Sequence, residues 1–101
     1  MSIIRENLYN LDQSWNYERV IESGNLKYRV FIRRNAYDSQ SYIHGFVLDP
    51  VHKKWNQVVN LPITIASCNS VSYVQKETPE MRRLFEQDAF MVLNELRAIC
   101  E

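Results

Sequence analysis

Glycine and cysteine are scarce in this chain of 101 residues, which contains two of each. Gly24 and Gly45 cannot form a phosphate-binding loop, because such loops need several closely spaced glycines. Cys68 and Cys100 lie far apart and do not provide the several bridges that hold small secreted domains together. We therefore expect reduced thiols and a cytoplasmic location, and we exclude a nucleotide site of the P-loop type.

The sequence also lacks a recognisable catalytic or metal-binding constellation. A Cys–His nucleophile or a zinc site would have to combine the two cysteines with His44 and His52, and these four residues lack the close paired spacing of known zinc sites. The twelve carboxylates are scattered and form no evident acid–base pair. These absences predict a protein that is not an enzyme and that uses no cofactor or metal.

Net charge and long apolar runs are absent as well. Twelve basic residues balance twelve acidic ones, so the whole molecule has no electrostatic attraction to a nucleic acid or a membrane. No window approaches the roughly 18 apolar residues of a membrane span, and the N-terminal stretch lacks a signal-peptide core. Hydrophobic content of 46% and charged content of 24% are typical of a folded domain. We expect residues 1–101 to form one domain outside the membrane.

The stretch Leu26 to Leu48 carries the clearest structural pattern. Tyr28, Val30 and Ile32 alternate with mostly basic neighbours, and a second alternating run follows the polar segment Asn35 to Ser41. Alternation with a period of two is typical of strands, and Asn, Asp and Ser favour turns. This stretch therefore predicts a β-hairpin, one face of which the rest of the chain must cover.

Two further strands are predicted beside this hairpin. Tyr17 to Glu22 reads as a strand joined to Leu26 by the turn Ser23-Gly24-Asn25, although a helix over Asp12 to Glu22 is the rival interpretation. Trp55 to Leu61 forms the fourth strand, after a turn at Asp49-Pro50. Ile63 to Val74 has no regular pattern, apart from a short edge strand at Ser70 to Gln75.

Helices are predicted at both ends of the chain. Apolar residues Ile4, Leu8, Leu11 and Trp15 have helical spacing. Thr78-Pro79-Glu80 combines an N-cap, a favourable first residue and an acidic first turn, and begins a helix that runs to about Ile99. Its packing face is Met81, Phe85, Ala89, Val92, Leu93, Leu96 and Ile99. The predicted fold is α+β: an N-terminal helix, a four-stranded antiparallel β-meander, and a long C-terminal helix packed across one sheet face.

Surplus apolar side chains on the last helix suggest a protein interface. Leu84 and Met91 widen its apolar arc, and Phe90 points roughly away from the sheet, unless it packs under the loop 63–77. Arg34 and Tyr37 in the central turn are types enriched at binding hot spots. The favoured hypothesis is a small non-enzymatic binding protein, an inhibitor or adaptor of a larger protein complex, with a homodimer through the last helix as one form of contact.

The alternative hypothesis is binding of single-stranded nucleic acid on the sheet face away from the last helix. Residues 27 to 54 contain six basic residues and two acidic ones, a local excess within a neutral chain. Aromatic platforms beside cations bind single strands by stacking and phosphate contact. The residues involved would be Lys27, Arg29, Phe31, Arg33, Tyr42, His44 and Phe46. An ordinary solvated sheet face can have the same composition, so strand register decides whether these side chains meet.

Overall fold

The computed structural model describes residues 2–11, 14–34, 41–62 and 77–101. These residues form five strands, β1 (Ser2–Leu11), β2 (Ser14–Ser23), β3 (Leu26–Arg34), β4 (Tyr42–Asp49) and β5 (Lys54–Pro62), and the helix α1 (Pro79–Cys100). The strands form one sheet in the order β1-β2-β3-β4-β5, and every neighbouring pair is antiparallel. The helix packs across β3, β4 and β5 on one face of this meander.

The predicted fold is wrong at its N-terminal end. The segment predicted as a helix is strand β1, and the sheet has five strands instead of four. Leu8 pairs with Tyr17 and packs toward the core, whereas Leu11 pairs with Ser14 and is 56% exposed. The apparent helical stripe therefore divides between two sheet faces. Pairing with β2 satisfies the backbone of a segment whose asparagines favour a helix only weakly.

The region from β2 to β5 largely follows the predicted strands. Ser14–Ser23 is a strand, so the rival helix over residues 12–22 is wrong. Gly24 has a φ of 63°, in the region that glycine adopts without steric cost, and it begins the two-residue turn between Ser23 and Leu26. The Asp49 carboxylate accepts hydrogen bonds from the backbone N–H groups of Val51 (2.9 Å) and His52 (3.3 Å) and so holds the next turn. The edge strand predicted at 70–75 lies outside the described residues.

The C-terminal helix is confirmed, including its start. The Thr78 hydroxyl accepts a hydrogen bond from the Met81 backbone N–H at 3.1 Å, and Pro79 occupies the first turn. The buried face consists of Met81, Phe85, Ala89, Val92, Leu93 and Leu96. Ile99 was predicted on this face but is 59% exposed, because it lies near the end of the helix, beyond Leu96, the last fully buried position.

The hydrophobic core lies between α1 and the inward side chains of the sheet. The strands contribute Trp15, Tyr17, Ile21, Tyr28, Val30, Ile32, Ile43 and Val59. Gly45 allows the helix to approach β4 closely, since a β-carbon there would lie 3.1 Å from the side chains of Val59, Val92 and Leu96. Inward residues of β3 and β4 are thus committed to the helix, and their neighbours in sequence must face the other way.

Candidate functional site

The strand register determines which side chains share the sheet face opposite α1, here called the outer face. Arg29 pairs with Phe46, Phe31 with His44, and Arg33 with Tyr42. The intervening residues Val30 and Ile32 are fully buried in the core. Lys27 is separated from Arg29 by the buried Tyr28 and so lies on the same face as Arg29. All seven residues predicted for nucleic-acid binding therefore lie on the outer face. The arrangement follows from antiparallel pairing, in which directly opposite residues point to the same side.

Four rings on β3 and β4 form a continuous aromatic row on the outer face. The ring centroids of Phe31 and Tyr42 are 6.0 Å apart, and those of Tyr42 and His44 are 4.0 Å apart, both in stacked orientations. His44 meets Phe46 edge to face at 6.1 Å. All four residues are half-buried, and the stacked contacts among Phe31, Tyr42 and His44 cover part of their ring faces.

Arg29 lies against the aromatic row but is partly neutralised by Glu18. Its guanidinium carbon is 5.4 Å from the Phe31 ring centroid and 5.1 Å from that of Phe46. Its Nε donates to Glu18 at 2.6 Å, and Arg5 reaches the same carboxylate at 2.8 Å. Burial tends to raise the pKa of Glu18, but the hydrogen bond and charge of Arg29, together with Arg5, outweigh it and lower the pKa. Glu18 therefore stays ionised and binds two of the cations on this face.

Two other cations of the outer face are not neutralised in this way. Among the residues that the structure describes, Lys27 and Arg33 form no ion pair. The Arg33 Nε atom is buried and has no hydrogen-bond partner within the same residues. Lys27 and Arg33 are six positions apart on β3, which corresponds to about 20 Å along a strand. They therefore lie at opposite ends of the aromatic row.

A cavity of about 400 Å³ lies at the Lys27 end of the outer face. Two strand residues, Lys27 and Leu48, and three turn residues, Asn25, Pro50 and Lys53, line it. Lys53 has a φ of 54°, in the left-handed region that non-glycine residues seldom adopt. The cavity therefore sits where the sheet ends, between the β2–β3 turn and the β4–β5 turn.

Sequence reasoning did not identify Trp55 and Glu18 as members of this site. Trp55 pairs with Leu48 and so shares the outer face, half-buried. The turn at Asp49-Pro50 could have indicated that Trp55 lies on the outer face, because the turn fixes which residues of β4 and β5 are opposite each other. Glu18 gave no such signal, since its role depends on pairing between β1, β2 and β3.

The four described residues among those predicted for protein binding do not form one exposed surface. Phe90 and Met91 are 57% and 49% exposed on the helix, whereas Leu84 packs against the core. Arg34 is only 1% exposed, lies over the Phe85 ring and pairs with Asp88. Tyr37 lies outside the described residues.

The residues considered for catalysis or metal binding are separated. His44 belongs to the aromatic row, His52 contacts Asp49 at 2.7 Å, and Cys100 is a half-buried free thiol. Cys68 is not among the described residues. Within the ranges described above, no three His, Cys, Asp or Glu side chains are grouped to hold a metal ion. In these same ranges no helix has the length and apolar character needed to cross a membrane.

Comparisons of the chain with protein-family models, with curated proteins and with solved structures found no match. Its function must therefore be argued from the chemistry of its own surfaces.

Proposed function

We propose that this protein binds single-stranded nucleic acid on the outer face of its sheet. The observation that carries the proposal is the aromatic row formed by Phe31, Tyr42, His44 and Phe46. Arg33 lies beside Tyr42 at one end of the row, and Lys27 lies beyond Phe46 at the other end. Aromatic rings bind bases by stacking without regard to sequence, and neighbouring cations contact the phosphates. Both components are present on one surface.

The distribution of charge supports this proposal over a purely structural role for the face. Cross-strand aromatic pairs and the Arg29–Glu18 ion pair also stabilise a sheet without a ligand. Lys27 and Arg33 form no ion pair among the described residues, although Glu22 lies opposite Lys27 in the strand register. Cations that are not held in an ion pair can contact phosphate at little cost in lost interactions.

The width of the sheet favours a single strand over a duplex. Five strands at about 4.8 Å spacing place the outer strands roughly 19 Å apart. The major groove of a duplex is about 12 Å wide and admits a helix or a two-stranded ribbon. A broad face of this kind fits an extended strand whose bases are free to stack.

The proposal is tested by titrating an oligothymidine of about 10 nucleotides, within the usual size range of such sites, and measuring fluorescence anisotropy. Phe31→Leu keeps an apolar side chain but removes the ring, and we expect it to weaken binding at least fivefold, since base stacking contributes about 1–3 kcal/mol. Arg33→Gln removes a phosphate contact, and we expect a loss of about two- to fivefold at low salt.

Matched controls separate a site effect from a general one. Phe90→Leu and Arg83→Gln make the same changes at exposed helix positions and are expected to leave binding unaltered. Thermal unfolding checks that each variant remains folded. The proposal is contradicted if the Phe31 and Arg33 variants bind the oligonucleotide as tightly as the wild type does, or if the wild type does not bind it.

A second candidate function, protein binding, is favoured by the exposure of Phe90 and Met91 on the helix. A large aromatic that is 57% exposed beside a methionine is a common feature of protein interfaces. For such a protein, an inhibitor or adaptor, a tagged capture from lysate should recover a partner that survives nuclease treatment and is lost with Phe90→Ala. A homodimer would appear as a doubled mass in sedimentation that the same variant reduces. Capture abolished by nuclease supports the outer face instead.

A further inference from the structure

The cavity at the end of the outer face continues the aromatic row toward the sheet edge formed by the turns. Lys27 and Leu48 form the row of side chains next to Arg29 and Phe46, because Tyr28 pairs with Val47 in the register. A single nucleic acid strand that lies along the aromatic row toward Lys27 therefore reaches this cavity directly. Its volume of about 400 Å³ falls within the range of roughly 300–1,000 Å³ typical of small-ligand sites.

The cavity combines two cations with an otherwise uncharged lining. Lys27 and Lys53 line it together, and the other three lining residues are Asn25, Leu48 and Pro50. Lys53, like Lys27, forms no ion pair within the part of the chain that the structure describes. Glu22 lies opposite Lys27 in the strand register. The Asp49 carboxylate, next to Pro50 in the sequence, already binds His52 and backbone N–H groups of the turn.

We propose that this cavity binds a terminal phosphate monoester of the nucleic acid strand through Lys27 and Lys53; this inference rests on the proposed function. An internal phosphate diester carries one negative charge, whereas a terminal monoester carries close to two near neutral pH, which suits a pair of ammonium groups. The turn residues Asn25, Pro50 and Lys53 lie where the sheet stops, so the site suits the end of a strand better than a strand that continues across it.

The test compares three versions of one oligothymidine, with a 5′-phosphate, with a 3′-phosphate, and with hydroxyl groups at both ends. Lys53→Asn removes the charge while keeping a residue that tolerates the left-handed backbone conformation. Lys54→Gln is the matched control, because it removes one charge from the neighbouring residue, which does not line the cavity. Thermal unfolding of both variants checks the β4–β5 turn.

We expect one of the two phosphorylated oligonucleotides to bind the wild type about two- to fivefold more tightly than the hydroxyl form at low salt. This gain should disappear in Lys53→Asn and persist in Lys54→Gln, and the end that produces it would give the direction of the strand. If the hydroxyl form binds but neither phosphate adds affinity, or the gain persists in Lys53→Asn, the terminal-phosphate site is overturned and the outer-face proposal stands. If no oligonucleotide binds the wild type, both proposals are overturned.

Discussion

At the scale of single residues, Glu18 controls how much positive charge the outer face presents. Its side chain is only 13% exposed and lies between Arg5 and Arg29, with both guanidinium groups within 2.8 Å. Arg29 in turn lies over two rings of the aromatic row. One carboxylate thus compensates two cations. Arg29 would have to weaken its ion pair with Glu18 before it could contact a phosphate.

Glu18→Gln should strengthen binding of single-stranded nucleic acid while weakening the fold. The substitution leaves Arg29 without its counter-ion, and we expect two- to fivefold tighter binding at low salt. Loss of the two ion pairs should lower the free energy of unfolding by about 1 kcal/mol. Anisotropy titration and urea unfolding measure the two effects.

Glu95→Gln is the control for this prediction, because it changes the net charge equally at an exposed helix position. A gain in affinity of the same size in both variants would mean that net charge, and not the outer face, produces it. Weaker binding by Glu18→Gln would contradict the proposed role of Arg29.

At the scale of elements, β1 is an edge strand that depends on side-chain contacts with its neighbours. The Glu6 carboxylate accepts hydrogen bonds from the Tyr17 hydroxyl, from Arg19 at 2.8 Å and from Arg82 of α1 at 3.1 Å. The hydrogen bond from Tyr17 is the main cause that lowers the pKa of Glu6. Burial tends to raise this pKa, whereas Arg19 and Arg82 lower it further. Among the described residues, the hydrogen bond from Arg82 to this carboxylate links β1 to the helix.

The contribution of Glu6 to stability should be lost in acid. Because folding lowers its pKa, the ionised carboxylate stabilises the fold above the ordinary glutamate pKa of about 4.3, and this contribution declines as the pH falls through the lower pKa of the folded state. Glu6→Gln should lower the free energy of unfolding by less than about 1 kcal/mol at pH 7, because solvent screens this exposed site, and by progressively less below about pH 4. Urea unfolding across this range measures both proteins, and a difference that stays constant with pH would contradict the prediction.

At the scale of the whole molecule, zero net charge means that attraction to nucleic acid must come from local contacts. Lys27, Lys53 and Arg33 are the cations that the proposals assign to phosphate. With about three phosphate contacts, the logarithm of the binding constant should fall with the logarithm of salt concentration at a slope of about −2. Titrations at several salt concentrations give this slope, and a value near zero would exclude phosphate contact as a source of affinity.

Local sequence patterns predicted strands β3 and β4, which form the outer face, and the helix α1, which covers the core. The alternation along Leu26–Arg34 and along Tyr42–Asp49 divided the side chains of each strand into two sets, because the pleat of a strand reverses the side chain at every residue. It left open which set of β4 shares a face with which set of β3, since that depends on the strand register. Thr78 and Pro79 predicted the start of α1, since capping depends on a few adjacent residues. The local pattern gave the wrong prediction for β1. Its apolar spacing fits a helix, but the segment pairs with β2, and this pairing cannot be read from the spacing alone.

The sequence by itself therefore determined which residues share a face within β3 and within β4, where α1 begins, and that basic charge is concentrated locally in a neutral chain. Only the tertiary structure decided the register that brings the aromatic residues of β3 and β4 onto one face, and that β1 joins the sheet. It also decided that Glu18 binds Arg29, that Arg34 is buried against Asp88, and that Lys27 and Lys53 line one cavity. The physical reason is the range of the interactions: alternation and capping act between residues close in sequence, whereas strand partners, ion pairs and cavities join residues that only folding brings together.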